Sequence, residues 1–522
     1  MRLILPMIAF LAAPVAALAA DPVPVIDGRA LVTPEAMAFD ARAQRDRVRI
    51  AADPGAAARP VLPDDTTTPA ARFLRAWLAA GQAAGLAGVL YDNRDRGHSA
   101  LDPDAFPQLV HIDYGEALRA DGLDLGLAGP FLFDAPVLGN SSTALTSGAG
   151  ARGLPRLAMT AGDGPGRAAQ TALADHLYVY PVWRDHEALD LLPANWGYMV
   201  AAEGASRSDR PFLEAFALTL ASFTPETRAA MAEARLMVPT LQMILRRSMA
   251  GITSDTAYLS GRAHPAVFDG SRVRPEAMMV LANRLTPDTL PPRALIAVEE
   301  EDFTDTAGLA GLSERLFDTP EAVARIWRGW EGRRSLRLAA GAQPAGRAEG
   351  FVWVLLQGDS ERVRIVPLDA GGRRVEVTLD WHDRRPAAPR SPRLTDRVDI
   401  AVFARRGDLW SAPAFLSIAF PGHEARSYAP GPDGAPRLIS VDYDALGRGA
   451  EFDPWLHFSA PWADEAVYGP DGRLAGWRRS GPGGAFDFDS EGRLGDGRIL
   501  RHRLDEDGPG GARLLRMEQV AP

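Results

Sequence analysis

The sequence predicts a multidomain protein: an N-terminal α/β or α+β domain, an immunoglobulin-like β-sandwich, and a small β-hairpin-rich C-terminal region. Three patterns predict this. Strand and helix patterns alternate through residues 69–330, apolar and polar residues alternate through 331–423, and Asp-Gly turn signals recur through 424–522. A length of 522 residues accommodates about three domains. Residues 1–20 are expected to be a signal peptide and residues 21–68 an extended N-terminal segment.

The composition excludes several kinds of chemistry. The chain contains neither cysteine nor lysine, which excludes thiolate nucleophiles, disulfides, Schiff-base lysines and a phosphate-loop lysine. The formal net charge of -10 argues against nucleic-acid binding, because phosphate neutralisation needs excess basic charge. We therefore expect no nucleic-acid partner.

The first twenty residues have the pattern of a secretory leader. Arg2 supplies the positive charge, residues 3–18 are nearly all apolar, and Ala17-Leu18-Ala19 fits a small-residue cleavage site. A buried N-terminal helix is the alternative, and Pro14 argues against it. No other segment has enough uninterrupted apolar residues to span a membrane. The mature chain is expected to be soluble and periplasmic or secreted, without a transmembrane segment.

Helix and strand patterns alternate in the first domain. Apolar residues at helical spacing predict helices over residues 70–84, over 211–223 and around Leu241, and a capping pattern at Asp318 and Glu321 predicts another. Short strands are predicted between the helices, over residues 87–91, 110–113, 156–160, 176–183 and 293–298.

The pattern after Arg334 is typical of a sandwich. Val375, Val377 and Leu379 alternate with polar Glu376 and Thr378, which gives a strand one buried and one exposed face. Six strands are predicted here, over residues 335–339, 349–357, 363–366, 374–380, 397–404 and 414–420.

Four short segments of this region resemble the PKD-type immunoglobulin-like extracellular module. They are Phe351-Val352-Trp353, Gly358-Asp359, residues 396–402 and Arg406-Gly407-Asp408. The resemblance covers about residues 331–421, and the insert at 381–395 departs from the family pattern. It implies a spacer or weak binder and no active site.

The chemistry-bearing residues lie in the first domain. Asp92, Asp95 and His98 follow an apolar strand, at the position where open α/β sheets bind ligands. His111 shares a strand face with Asp113, and we expect His111 to face Asp92 or Asp95 and act as a general base. A solvated turn and a half-buried structural histidine are the alternatives.

A second polar run follows Gly139. Asn140 is a candidate substrate-binding amide and Ser141 a candidate nucleophile, and Ser142 lies beside them. The G-x-S-x-G nucleophile elbow does not occur in the chain. A hydroxyl-rich helix cap is the alternative interpretation.

Further downstream lie candidate substrate and metal contacts. Tyr178 and Tyr180 alternate on one strand face and, with Arg184 and Trp196, are expected to bind substrate, although strand packing explains them as well. Candidate ligands for a divalent metal, whose spacing matches no compact motif, are His176, Asp185 and His186. No other cofactor is expected.

These residues together predict an exported hydrolase acting on an extracellular polymer such as a glycan. The alternative is a non-enzymatic envelope or secreted protein that binds through its β modules. Convergence on one pocket would favour the enzyme, and the residues to test are His111, Asp95, His98, Asn140 and His186.

Overall fold

The computed structural model describes most of the chain after the predicted leader. The described residues are 20–127, 131–142, 164–182, 194–303, 313–327, 332–383, 385–387, 394–395, 397–420, 425–432, 434, 436–442, 456–458, 462–489, 492–505 and 513–521. The chain is mostly β, with 40% strand and 22% helix, and its several sheets belong to more than one domain. None of the described helices is long and apolar enough to cross a membrane.

Ten short strands and eight helices form the described part of the first domain. The strands are β1 (Val25–Ile26), β2 (Arg29–Val32), β3 (Met37–Asp40), β4 (Arg45–Val48), β5 (Leu90–Asn93), β6 (Val110–Tyr114), β7 (Phe131–Phe133), β8 (Val137–Asn140), β9 (His176–Val182) and β10 (Val200–Glu203). The helices are α1 (Pro69–Ala79), α2 (Glu116–Ala120), α3 (Gly164–Leu173), α4 (Arg210–Ser222), α5 (Pro225–Ala234), α6 (Met237–Ser248), α7 (Asp255–Tyr258) and α8 (Pro275–Arg284).

Seven of these strands form one sheet, in the order β1-β2-β6-β5-β8-β9-β10. Every pair from β2 to β10 is parallel, and β1 is antiparallel to β2. β6, the next strand of this sheet along the chain, lies on one side of β5, and β8 lies on the other side. The strand order therefore reverses its direction at β5. This reversal is a topological switch point, and open parallel sheets bind ligands at the carboxyl ends of the strands there.

Twelve strands follow in the described part of the chain; ten of them form two facing sheets and the other two a separate pair. They are β11 (Arg293–Glu301), β12 (Ser313–Thr319), β13 (Ala322–Trp327), β14 (Arg333–Gln343), β15 (Gly350–Gln357), β16 (Val363–Pro367), β17 (Arg374–Asp380), β18 (Arg385–Pro386), β19 (Leu394–Thr395), β20 (Arg397–Arg406), β21 (Leu409–Trp410) and β22 (Ala414–Ala419). The order of one sheet is β11-β14-β17-β16 and that of the other β12-β13-β22-β20-β15, with β21 paired to β20. A single hydrophobic core lies between them and includes Trp327, Val377 and Ile400.

Eight further strands form the C-terminal region. They are β23 (Ala425–Pro430), β24 (Pro436–Asp442), β25 (Leu456–Phe458), β26 (Ala463–Tyr468), β27 (Leu474–Gly481), β28 (Gly484–Asp489), β29 (Ile499–Asp505) and β30 (Arg513–Val520). A five-stranded sheet, β23-β24-β26-β27-β28, and a three-stranded sheet, β25-β30-β29, result. The Asp-Gly signal at Gly472 marks the tight turn between β26 and β27, where the glycine adopts a φ of 76°.

The helix predicted at Asp318 and Glu321 is wrong. Asp318 lies in β12 opposite Val323, Glu321 lies in the turn that joins β12 to β13, and all six residues of β13 are buried. A strand buried on both faces lacks the apolar–polar alternation that identifies a strand, and its continuous apolar run mimics a helix. The strand predicted at 293–298 also exists, but as part of β11 it pairs with β14 in the facing sheets and not in the parallel sheet.

The facing sheets pack directly against the first domain. Phe403 and Phe415 belong to the same core cluster as the helices of the first domain. The Asn195 backbone N–H donates to Ser417 Oγ at 2.8 Å, and the Tyr258 hydroxyl donates to the Ser411 carbonyl at 2.7 Å. The first domain therefore completes its core with residues from the second.

This shared core predicts that the first domain cannot stand alone. A chain ending at residue 290 would expose the apolar face that Phe403 and Phe415 cover, and we expect it to aggregate. Gel filtration and dye binding to exposed apolar surface test this against the full chain. A monomeric fragment that melts at the temperature of the full chain would contradict it.

Candidate functional site

One face of the parallel sheet carries a buried polar network around Asp92. The Asp92 carboxylate accepts hydrogen bonds from the hydroxyls of Tyr114 and Tyr178, both at 2.6 Å. Arg94 donates to the Tyr114 hydroxyl at 3.1 Å and lies 3.9 Å from the carboxylate. Burial raises the pKa of both tyrosines well above their ordinary value, so they remain neutral donors. Asp92 is thus the counter-charge of a buried arginine and is inaccessible to substrate.

Gly139 makes room for this network. A Cβ at this position would lie 2.4 Å from the Tyr178 ring and 2.6 Å from the Asp92 carbonyl oxygen. Both distances are far shorter than a van der Waals contact. Gly139 is therefore required for packing.

We expect Gly139→Ala to lower the free energy of unfolding by about 1–3 kcal/mol, because the added methyl displaces the Tyr178 ring. Urea unfolding measures this directly. The matched control is Gly166→Ala, because Gly166 is helical and has open space around its Cβ position. Gly81 also has open space but adopts a φ of 69°, where any added side chain is strained. Gly166→Ala should leave stability unchanged or raise it, and an equal loss in both variants would contradict the steric explanation.

The opposite face of the sheet centres on Asn140. Its Oδ1 accepts hydrogen bonds from the Tyr91 hydroxyl at 2.6 Å and from Asn93 Nδ2 at 3.2 Å. Its Nδ2 donates to the Ser99 carbonyl at 3.1 Å and to Asp209 Oδ2 at 2.8 Å. All the hydrogen-bonding capacity of the amide is used, so Asn140 joins three chain segments at the switch point.

The loop after β5 presents a histidine held by a carboxylate. His98 Nδ1 lies 3.0 Å from Asp95 Oδ2, and this carboxylate also accepts a hydrogen bond from Ser142 Oγ. The Asp95 side chain is buried, whereas 51% of the His98 side-chain surface is exposed. The carboxylate stabilises the tautomer with its proton on Nδ1 and leaves Nε2 as the basic nitrogen. This is the arrangement of a general base.

The backbone of this loop is strained. Arg96, Gly97 and Ser99 have φ values of 51°, 83° and 54°, in the left-handed region. Asn93 Oδ1 accepts from the Gly97 backbone N–H at 2.7 Å, and Asn93 Nδ2 donates to the His98 carbonyl at 2.9 Å, which fixes the loop. Left-handed non-glycine residues are costly and concentrate at functional sites.

Asp209 lies behind this loop, immediately before α4. Its carboxyl is fully buried, and no described residue forms a hydrogen bond with its Oδ1. Burial raises the pKa of Asp209 against the lowering effect of the Asn140 hydrogen bond. His98 and Asp95 are close enough to influence the same pKa electrostatically. Asp209 is therefore the third ionisable group of the site.

The predicted role of His111 is wrong. Its register partner on β5 is Tyr91, and its ring lies 5.0 Å from the Tyr91 ring, on the sheet face opposite Asp92. Burial lowers the pKa of His111 to about 4, and its neighbour Asp113 pairs with Arg29 at 3.1 Å. His111 does not meet Asp92, because the two side chains lie on opposite faces of the sheet, and within the described residues His111 Nε2 has no hydrogen-bond partner.

The tyrosine and tryptophan platform is also wrong. The Tyr178 hydroxyl donates to the buried Asp92 carboxylate, and Tyr180 is buried within β9. Trp196 is buried against Tyr198 and Phe317, with ring centroids 5.5 and 5.8 Å apart. These rings are covered in the folded chain and cannot stack on a substrate.

The remaining candidates divide into buried residues and undescribed ones. His176 Nε2 donates to the Phe133 carbonyl at 3.1 Å, and burial lowers the pKa of His176 to about 3. His176 pairs with Val137 of β8, and Val137 lies three residues before Asn140. His176 is therefore about 10 Å along the strands from Asn140. Ser141 is buried and donates to the Arg94 carbonyl at 2.8 Å, so it is no exposed nucleophile. Outside the described residues lie Arg184, Asp185 and His186.

No metal arrangement is found within the described part of the chain. There, no group of three His, Asp or Glu side chains is placed to hold an ion. Of the residues predicted to converge, the structure brings Asp95, His98 and Asn140 together.

Sequence reasoning missed Asp209 as a site residue. The sequence pattern explains this, because Ser208 and Asp209 precede Pro211 and are therefore typical of the residues that begin and cap a helix. The structure shows that the Asp209 side chain does not cap α4. It turns instead toward Asn140, which is 69 residues away in sequence.

Neither a protein-family model nor a curated protein matches this chain.

Proposed function

We propose that this protein is a hydrolase in which His98, held by Asp95, is the general base. One observation carries the proposal: a half-exposed imidazole, 3.0 Å from a buried carboxylate, stands at the carboxyl edge of a parallel sheet at its switch point. His98 Nε2 removes a proton from water as the water oxygen attacks the substrate. The Asp95 carboxylate stabilises the imidazolium that forms.

Water is a better nucleophile here than serine. Ser141 Oγ is buried, and Ser142 Oγ donates its hydrogen to Asp95 and not to His98. A serine nucleophile needs its hydroxyl hydrogen-bonded to the histidine base. Direct attack by water needs only the exposed Nε2 of His98.

An exported location and an extracellular polymer substrate, such as a glycan, complete the proposal. The leader pattern of residues 1–20 and the resemblance of residues 331–421 to an immunoglobulin-like PKD-type module support it. The substrate class rests on this analogy with extracellular modules. The hydroxyl-bearing residues Ser99 and Ser142 are half-buried near His98 and suit a hydroxyl-rich substrate.

The proposal is tested with the purified chain from residue 21 and a panel of polysaccharides, glycosides and esters. His98→Gln should lower kcat/KM on any hydrolysed substrate by about 10²–10⁴-fold, because the base is lost. Its Tm should match the native chain, since the imidazole is half exposed.

His111→Gln is the matched control, because it removes the other histidine near the site. It should retain native activity. Equal activity of the native chain and His98→Gln, or no hydrolysis of any panel member, would contradict the proposed function.

A further inference from the structure

Two residues with a left-handed backbone meet beside His98. Ser99 has a φ of 54°, and Arg207, in the turn before α4, has a φ of 76°. The Arg207 backbone N–H donates to Ser99 Oγ at 3.1 Å, and this oxygen lies 3.5 Å from His98 Nδ1. A further hydrogen bond, from Asn140 Nδ2 to the Ser99 carbonyl at 3.1 Å, ties Ser99 to β8. The backbone that carries the Arg207 side chain is therefore two contacts away from the imidazole.

The conformation of Arg207 favours glycine over arginine. A left-handed backbone is costly for a residue with a Cβ, and the same turn already has a glycine, Gly204, at another position of positive φ. The hydrogen bond to Ser99 uses only a backbone N–H, which glycine would also supply. Strain of this kind concentrates at binding and catalytic sites, where the side chain is used. The role of Arg207 therefore lies in its guanidinium.

The Arg207 side chain is exposed and unpaired among the described residues. Two other arginines of the same two segments are each held by a carboxylate: Arg96 by Asp124 at 3.0 Å and Arg210 by Glu214 at 2.8 Å. In the described part of the chain, no carboxylate or carbonyl accepts a hydrogen bond from the Arg207 guanidinium. Its charge is therefore available to an anion from outside the chain.

The nearby carboxyl groups do not compensate this charge. Asp95 is buried and holds His98 Nδ1 at 3.0 Å. Asp209 is also buried, and burial raises its pKa, which favours the neutral form. Asp102 is exposed, but its charge acts on Arg210. None of these three groups forms an ion pair with the neighbouring guanidinium of position 207.

We propose that Arg207 determines the specificity of the site by binding an oxyanion of the substrate, a carboxylate or a sulfate on a sugar next to the bond that is cut. This inference rests on the proposed hydrolase function and narrows its substrate to an acidic glycan. A guanidinium presents parallel N–H donors that match two oxygens of such an anion. Since the chain has a formal net charge of -10, it repels anionic polymers in general and needs a local cation to bind one.

The test uses pairs of oligosaccharides that differ in charge. Oligogalacturonates are compared with their methyl esters, and sulfated galactan oligosaccharides with the same oligosaccharides after desulfation, and cleavage is measured as new reducing ends. The native chain should act on the anionic member of one pair with a kcat/KM about 10–100-fold above that of the neutral member, because a charged hydrogen bond is gained. The pair that shows the preference identifies the oxyanion.

Variants at position 207 test the assignment. Arg207→Gln should bring the ratio between paired substrates to about one, by lowering kcat/KM on the anionic member. Arg207→Lys should keep part of the preference, because it retains the charge but not the parallel donors. Arg210→Gln is the matched control, since Glu214 already engages that arginine, and it should keep the native ratio. No preference in either native pair, or an unchanged ratio in Arg207→Gln, would overturn the inference.

Stability provides a readout that does not depend on turnover. Arg207→Gly keeps the backbone N–H and relieves the left-handed strain, so its Tm should equal or exceed that of the native chain. It should nevertheless lose the preference for the anionic substrate. A lower Tm would show that arginine is retained at this position for stability, and would overturn the inference.

Binding separates this inference from the proposed function. If the native chain hydrolyses no oligosaccharide, the hydrolase proposal falls, and calorimetric titration with the same pairs still tests Arg207. Tighter binding of an anionic member by the native chain, lost in Arg207→Gln, would support the anion site. Equal binding of both members of each pair would overturn it.

Discussion

Asp92→Asn is expected to lower the free energy of unfolding by about 3–5 kcal/mol, because it leaves a buried arginine without its counter-charge. Arg94 is fully buried, and its link to Asp92 runs through the Tyr114 hydroxyl. An amide cannot accept from Tyr114 and Tyr178 on both sides, since one of its two atoms is a donor. Urea unfolding of the native chain and the variant measures the loss.

Two further variants separate charge from hydrogen bonding. Tyr178→Phe removes one donor to Asp92 and should cost about 1–2 kcal/mol. Asp113→Asn breaks an exposed pair and should cost no more than about 1 kcal/mol. If Asp92→Asn lies within 1 kcal/mol of native, the network does not stabilise the sheet as described.

Acidification from pH 7 to pH 5 is expected to destabilise the protein by on the order of 4 kcal/mol. Burial lowers the pKa of four histidines: His111 and His382 to about 4, His176 to about 3, and His264 well below its ordinary value. Their stabilising contribution is present above the unfolded pKa of about 6.5 and is lost as the pH falls toward the folded values.

Three buried carboxyls oppose this loss. Burial raises the pKa of Asp175 to about 6, that of Glu321 to about 7 and that of Asp209 above its ordinary value, so their contribution grows as the pH falls. Four histidines outweigh three carboxyls, and the net effect is acid destabilisation. Unfolding at pH 7 and pH 5 tests this, and His176→Gln should weaken the pH dependence. Equal stability at both pH values would contradict the assignment of these histidines as buried and neutral.

The strand content and the neighbourhood of the site were predictable from the sequence. The polar runs after β5 and β8 were predicted to follow apolar strands, and Asp95, His98 and Asn140 do meet at the carboxyl edge of the sheet. The roles of individual residues were not predictable. Histidine, tyrosine and tryptophan are common in functional sites, but the structure buries His111, Tyr178 and Trp196.

The errors have one physical cause. Polar and aromatic residues in a strand look alike whether they face solvent, a core or a second domain, because local spacing carries no information about the facing layer. β13 shows this most clearly. It is buried between the core of the two facing sheets and the first domain, so its sequence resembles a helix.

The sequence by itself determined several of the strands, such as those at residues 374–380 and 397–404, and where polar residues follow them, since both depend on neighbours along the chain. Only the tertiary structure decided which of those residues meet. Tyr91 is aligned with His111, and Asp92 with Gly139, and this register sets which side chains share a face of the sheet. Successive side chains point to opposite faces, so this register buries Asp92 on one side of the sheet and, on the other, joins Asn140 to Asp209 beside His98.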